Sequence, residues 1–259
     1  MSTPECPAPD GSSPRQTSFS GTPPMCIDPS KSYTATMETS IGTMVIHLDA
    51  AGAPNTVNNF VFLARYHYYD SLIFHRIING FMCQGGCPEG SGRGGPGYRF
   101  ADELPAPGRY EIGSIAMANA GPDTNGSQFF IITGASGVGL PPQYSLFGKV
   151  VKGLDVVDII SNVEVAPGSN KPLEDITILE LKIVRQGDDA KKFDNVSKWN
   201  KELQLSQERK MKILEKTKKI IKEMKTVLND YKNKASKLNS GLLIHTISST
   251  KGIKPRTGS

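Results

Sequence analysis

The sequence predicts a mainly β fold: a closed antiparallel β-barrel capped by two helices and followed by a long C-terminal amphipathic helix. Three observations predict it. Short runs of alternating apolar residues recur between residues 33 and 186, Gly- and Pro-rich connections separate them, and only two segments in that span show helical spacing. Closure is expected because it removes exposed strand edges. A doubly wound fold would need a helix after nearly every strand.

The elements follow in order. Residues 1–32 are rich in Pro, Ser, Thr and Gly and read as a disordered leader, because such a composition buries too little apolar surface to offset ordering. From Tyr33 the alternation begins; Met44, Ile46 and Leu48 would share one face of a strand. Pro54 and Asn55 suit a helix start, and Val57, Phe60, Val61 and Ala64 line one side of a helix over residues 56–66. Short strands punctuated by glycines over 85–97 and 134–142 come next. Residues 153–161 give the second helix and 176–184 the closing strand.

Charge marks the boundary that follows. Residues 1–186 carry 12 Lys+Arg against 17 Asp+Glu, whereas residues 187–259 carry 18 against 8. Over 197–238 there is neither Gly nor Pro. Leu214, Ile221 and Leu228 recur every seven residues, with Met224, Tyr231 and Leu238 three positions after Ile221, Leu228 and Ala235, and Ile213, Ile220 and Val227 widen the stripe, a coiled-coil-like pattern within a basic helical segment at 187–240. Its cations surround the stripe without interleaved stacking aromatics, which reads as a solvated face and not as a nucleic-acid surface.

Several function classes are excluded. No run reaches the roughly 18 apolar residues of a membrane span, and no secretory signal pattern opens the chain. Cys6, Cys26, Cys83 and Cys87 are too sparse for a disulfide framework, so reduced thiols and a cytoplasmic location are expected. Residues 90–95 satisfy G-x-G-x-x-G, yet Pro96 follows and no helix opens there to receive a pyrophosphate. Cys83, Cys87 and His75 match no common zinc spacing, and no hydrolytic triad is legible.

The chemistry is carried by three ordered blocks. They are Phe74-His75-Arg76-Ile77-Ile78-Asn79-Gly80-Phe81-Met82-Cys83-Gln84-Gly85-Gly86, then Ile115-Ala116-Met117-Ala118-Asn119-Ala120-Gly121, then Thr124-Asn125-Gly126-Ser127-Gln128-Phe129-Phe130. With Phe147-Gly148-Lys149-Val150 after them, the stretch resembles the cyclophilin-type peptidyl-prolyl cis/trans isomerases, over a domain at 33–186. A rigid, always-charged guanidinium suits the weakening of imide resonance. The resemblance assigns that catalytic role to Arg76. By the same match Phe81, Met82, Phe130 and Leu140 line a proline pocket, Gln84 orients Arg76, and Ala118, Asn119 and Gln128 hold the flanking backbone, with no cofactor or metal implied. His75 reads as structural.

Two positions depart from the family pattern. Tyr144 stands where a histidine is common, and Gly139 stands at the site of a frequent tryptophan, which implies weakened binding of cyclosporin. Leu140-Pro141-Pro142 resembles the bacterial, actinobacterial-type members. Residues 241–259 resemble the opening strand of an FKBP-type domain, so the basic helix would be the linker of a dual-family immunophilin whose second domain lies beyond residue 259. The resemblance implies proline-containing peptides and unfolded proteins as partners. The alternative reading is a binding or chaperone module of the same fold, whose groove captures such peptides while the basic helix supplies partner contacts and turnover is incidental.

Overall fold

The computed structural model describes residues 4–186, 218–230, 232 and 234. The chain divides into two units, Met1–Phe193 and Asp194–Ser259.

The first unit begins its sheet with a hairpin of β1 (Ser32–Thr39) and β2 (Gly42–Leu48). Tyr33, Ala35 and Met37 stand opposite Leu48, Ile46 and Met44. Alternation puts these six side chains on one face, and all six are buried. Next comes α1 (Pro54–Arg65), where proline at the first turn lacks only an N–H that would have no helical partner. No residue of the helix caps it. The Glu103 carboxylate does so, accepting from the backbone N–H groups of Asn55 and Thr56 at 3.0 and 2.7 Å. Phe60 of α1 meets the rings of Tyr69, Phe129 and Phe147 at centroid distances of 5.1, 5.8 and 5.1 Å, so the helix packs on the core face of the sheet.

Six more strands complete the sheet: β3 (Arg76–Ile78), β4 (Met82–Gly85), β5 (Ser114–Met117), β6 (Phe129–Ile132), β7 (Leu146–Lys152) and β8 (Ile178–Gln186). They pair antiparallel in the order β3-β4-β6-β5-β7-β2-β1-β8. The end strands β3 and β8 share no ladder. The residues leading into β3 meet the start of β8 and the residues just before it, through Phe74 N–H to Ile176 O, Ser71 N–H to Ile178 O and a single bridge between Ile73 and Thr177. The sequence predicts a closed barrel; the sheet is instead curled, and its end strands, of which β3 has only three residues, are joined near their starts by a single bridge and backbone hydrogen bonds and not by a ladder.

The two predicted helices correspond to α1 and to α3 (Leu154–Ser161). Between them α2 (Ala135–Val138) is a single turn inside what the sequence reads as a glycine-rich connection. Gly134 before it lies against the backbone of Gly80, where a Cβ would come within 2.4 Å of the carbonyl. That close approach fixes the turn that presents Phe81.

The leader is corrected by the structure. Residues 4–32 form an ordered strap: Phe19 and Ile27 are buried in the main core, and Cys6 and Cys26 are joined in a disulfide. Gln16 N–H donates to Tyr66 O at 2.9 Å, and Asn58 grips the strap twice, through Cys26 N–H to Oδ1 at 2.7 Å and Nδ2 to Pro24 O at 2.9 Å. The compositional argument assumes that a segment must bury its own surface. Here the finished domain supplies the surface, and the crosslink reduces the entropy of the free strap. Only Cys83 and Cys87 remain free thiols, both buried.

In the second unit residues 218–230 are helical, and Ile220, Ile221, Met224, Val227 and Leu228 are exposed. Residues 232 and 234 are helical as well, and the remainder of the predicted long helix and the whole 241–259 segment lie outside the described residues. No helix among the described residues is long and apolar enough to cross a membrane.

Candidate active site

Strand alternation sorts the sheet's apolar residues into two sets. Ile77, Cys83, Ile115, Met117, Phe129 and Ile131 join the main core, whereas Met82, Ala116, Phe130 and Ile132 form a second buried cluster with Tyr110. The second set occupies the opposite face. Arg76 pairs with Gln84, Gln84 with Phe130 and Phe130 with Ala116, so one row crosses β3, β4, β6 and β5 on that face. The row runs from a cation to an apolar floor.

Phe81, Ala118, Leu140 and Tyr144 are half-buried around the floor. The Tyr144 ring stands edge-on to Phe130, with centroids 5.3 Å apart and planes at 89°. Along the rim a relay of amides runs away from the cation. Arg76 Nη1 donates to Gln84 Oε1 at 3.3 Å, and Gln84 Nε2 donates to Gln128 Oε1 at 3.0 Å. Gln128 Nε2 then donates to the carbonyls of Gly92 and Gly94 at 2.8 and 2.9 Å. Asn119 Nδ2 donates to Gln143 O at 2.9 Å, tying the 118–120 segment to the loop that carries Tyr144. All ten residues singled out in the sequence thus meet on one face.

The family model for cyclophilin type peptidyl-prolyl cis-trans isomerase/CLD matches residues 34–183. The chain belongs to the cyclophilins. It is 44% identical over 162 residues to "Peptidyl-prolyl cis-trans isomerase-like 1" of Mus musculus, covering 61% of this chain and 95% of that protein. Against "Peptidyl-prolyl cis-trans isomerase-like 2" of Cryptococcus neoformans the identity is again 44% over 162 residues, covering 60% of this chain but 28% of that longer protein. The crystal structure of a Cryptosporidium parvum cyclophilin superposes with a TM-score of 0.56 at 34% identity, covering 60% of this chain and 99% of that one. A second structure of it, 35% identical with a TM-score of 0.55 and covering 58% of this chain and 98% of that one, was solved in the presence of the dipeptide Ala-Pro. These relatives are eukaryotic, and the family match ends before the segment that resembles an FKBP-type strand.

Other features of this cyclophilin site were not legible in the sequence. The Tyr110 hydroxyl donates to Tyr144 O at 2.7 Å and accepts from Tyr144 N–H at 3.1 Å, clamping the loop that presents that ring. Beyond Gln84 a cavity of about 190 Å³ opens, lined by Gln84, Asn119 and Gln128 together with Arg93 and Arg99. No carboxylate lines it, and neither arginine forms an ion pair among the described residues. Arg76 likewise forms none. His75 is buried, its two ring nitrogens have no hydrogen-bond partner among the described residues, and burial, aided by the neighbouring Arg76 charge, holds its pKa below the ordinary value.

Proposed function

We propose that this cyclophilin catalyses cis/trans interconversion of X-Pro bonds in exposed or unfolded protein segments. The observation that carries the reading is the row from Arg76 to Phe130, a cation that forms no ion pair among the described residues beside an apolar floor. Rotation about the imide is opposed by about 20 kcal/mol because resonance gives the C–N bond partial double-bond character. Twisting the bond localises the lone pair on the proline nitrogen, and a guanidinium aimed there stabilises the twisted state more than either planar one. No covalent step is needed.

In this reading Phe81, Met82, Phe130, Leu140 and Tyr144 seat the proline ring. Gln84 holds Arg76, while Ala118, Asn119 and Gln128 meet the flanking backbone. The cationic cavity beside Gln128 favours an acidic side chain near the proline. Gly139, which leaves one rim of the slot without an indole, supports weakened cyclosporin binding. The actinobacterial likeness rests on Leu140-Pro141-Pro142, and the dual-immunophilin reading rests on the 241–259 motif. A cytoplasmic location is also proposed; its thiol pool would act on the exposed Cys6.

The test is cis/trans exchange on an Ala-Pro-containing peptide, followed by NMR with the full chain. Catalysed exchange at substoichiometric protein is expected. Saturable peptide binding with no acceleration of exchange would replace the isomerase with a capture module.

A further inference from the structure

The 92–98 loop receives Gln128 on one side and the strap on the other. It contains Gly92, Gly94, Gly95 and Gly97, a composition that leaves a free backbone with many conformations. Two sets of contacts narrow them. On the groove side the Gly92 and Gly94 carbonyls accept from Gln128 Nε2. On the other side Phe19 N–H donates to Pro96 O at 2.8 Å, and the Phe19 ring packs on Phe62, Tyr66 and Tyr98 at 4.8, 5.4 and 6.4 Å. Gly97, at a φ of +99°, passes so close to the strap that a Cβ would lie 2.4 Å from Phe19 O. Tyr98 continues the connection inward, its hydroxyl donating to Asn59 Oδ1 at 2.6 Å while Asn59 Nδ2 donates to Gly126 O at 2.9 Å.

We propose that the strap is a positioning element of the peptide groove: Phe19, latched by the Cys6–Cys26 disulfide, holds the 92–98 loop in the place where it anchors Gln128. The inference rests on the isomerase reading of the groove. The Gly92 and Gly94 carbonyls hold the Gln128 amide with Oε1 towards Gln84 Nε2, and Gln84 in turn offers Oε1 to Arg76. Loosening the strap frees the loop, lets the Gln128 amide rotate and opens the cavity wall that Pro96 and Tyr98 form. Phe19 is a positioning residue; it touches none of the ten site residues through any ring contact or hydrogen bond described above.

The latch is chemically addressable, since Cys6 is exposed whereas the free Cys83 and Cys87 are buried. A dithiol reductant transfers two electrons and two protons; the Cys6–Cys26 S–S bond breaks to two thiols and the reductant leaves as its own disulfide. An oxidising environment therefore closes the strap and a reducing one opens it.

The experiment compares the full chain, oxidised, with the same protein in dithiothreitol, with C6S/C26S, and with Phe19→Ala and Phe19→Leu. Circular dichroism first verifies that each is folded. Steady-state exchange is expected to show KM raised about fivefold, with kcat within about twofold, in the reduced protein, in C6S/C26S and in Phe19→Ala. Phe19→Leu, which keeps an apolar anchor, restores most of the loss. Dithiothreitol has no effect on C6S/C26S. Anisotropy of a labelled Ala-Pro-containing peptide reads the same shift in Kd without requiring turnover. A lowered melting temperature with unchanged KM and Kd overturns the proposal, because a merely structural strap would do only that. Oxidised protein that binds the peptide without accelerating exchange sinks the isomerase reading instead, and a redox shift in Kd then still supports the strap.

Discussion

Arg76 and Gln84 stand opposite each other in the β3–β4 ladder, and the guanidinium Nη1 donates to the amide Oε1 at 3.3 Å. A pair of register neighbours on two short strands thereby aims along the row a charge that has no carboxylate partner among the described residues. Replacing Arg76 with Ala is expected to lower kcat/KM for X-Pro exchange about 100-fold or more, the scale of one preorganised electrostatic group. Arg76→Lys should recover only part, since a lysine lacks the planar fork. Unchanged exchange rates in Arg76→Ala would refute the mechanism.

The clamp on Tyr144 gives a second expectation. Tyr110→Phe removes one hydroxyl that serves both the N–H and the C=O of Tyr144. Stability should fall by about 1–3 kcal/mol, the cost of leaving half-buried polar groups without partners. Urea denaturation measures it, and an unchanged midpoint would show that water replaces the hydroxyl.

Glu103 tests the cap supplied from a distant loop. Glu103→Ala leaves the first N–H groups of α1 without their acceptors, and a loss of about 1–2 kcal/mol is expected. Glu103→Gln keeps an acceptor oxygen and should lose less. Equal losses would mean that charge, through the helix dipole, matters more than the hydrogen bonds.

Two histidines give opposite pH dependences. His67 links the strap to the domain: Nε2 meets Gly11 O at 2.8 Å and Nδ1 meets Asp70 at 2.9 Å. The Gly11 carbonyl first, then the Asp70 carboxylate, raises its pKa above 6.5. Its contribution is therefore fully present below pH 6.5 and is lost as pH rises through the raised value. His75 is shifted the other way, chiefly by burial, so the fold loses stability as pH falls below 6.5 and the unfolded chain takes up the proton. Amide exchange at Gln16 and Phe19 should be best protected, after correction for intrinsic rates, at mildly acidic pH. His75→Phe should flatten the acid side of the global stability curve. Strap protection independent of pH would remove the role given to His67.

The cationic cavity makes a prediction about sequence preference. Peptides with Glu close to the proline should bind about two- to fivefold more tightly than the matching Lys peptides at low salt, with the difference shrinking as ionic strength rises. Arg93→Glu with Arg99→Glu should reverse the order. An unaltered preference would place the acidic side chain elsewhere.

Much of this was open to reading in one dimension. Phe81, Met82, Gln84 and Phe130 could be found because they sit in long ordered blocks, and α1 because Pro54 and the spacing of Val57, Phe60 and Val61 signal a helix locally. Tyr110 and Glu103 carry no such signal. Each acts on a backbone more than thirty residues away, at Tyr144 and at Asn55 and Thr56 respectively. The apolar runs of β5 and β6 did hold a clue, since strands buried on both faces imply something apolar on the outer side as well.

The sequence by itself determined the alternation that divides Ile77, Cys83 and Ile131 from Arg76, Met82 and Gln84, because side-chain direction along a strand is a matter of odd and even positions. It also determined where glycine and proline interrupt the strands. Tertiary structure alone decided that the curled sheet would end in a bridge near Ile73 and Thr177, and that residues 4–32 would lie as a strap. Composition describes what a segment can bury within itself. Phe19, Ile27 and the Cys6–Cys26 link are ordered by a surface that exists only once the sheet and α1 have assembled.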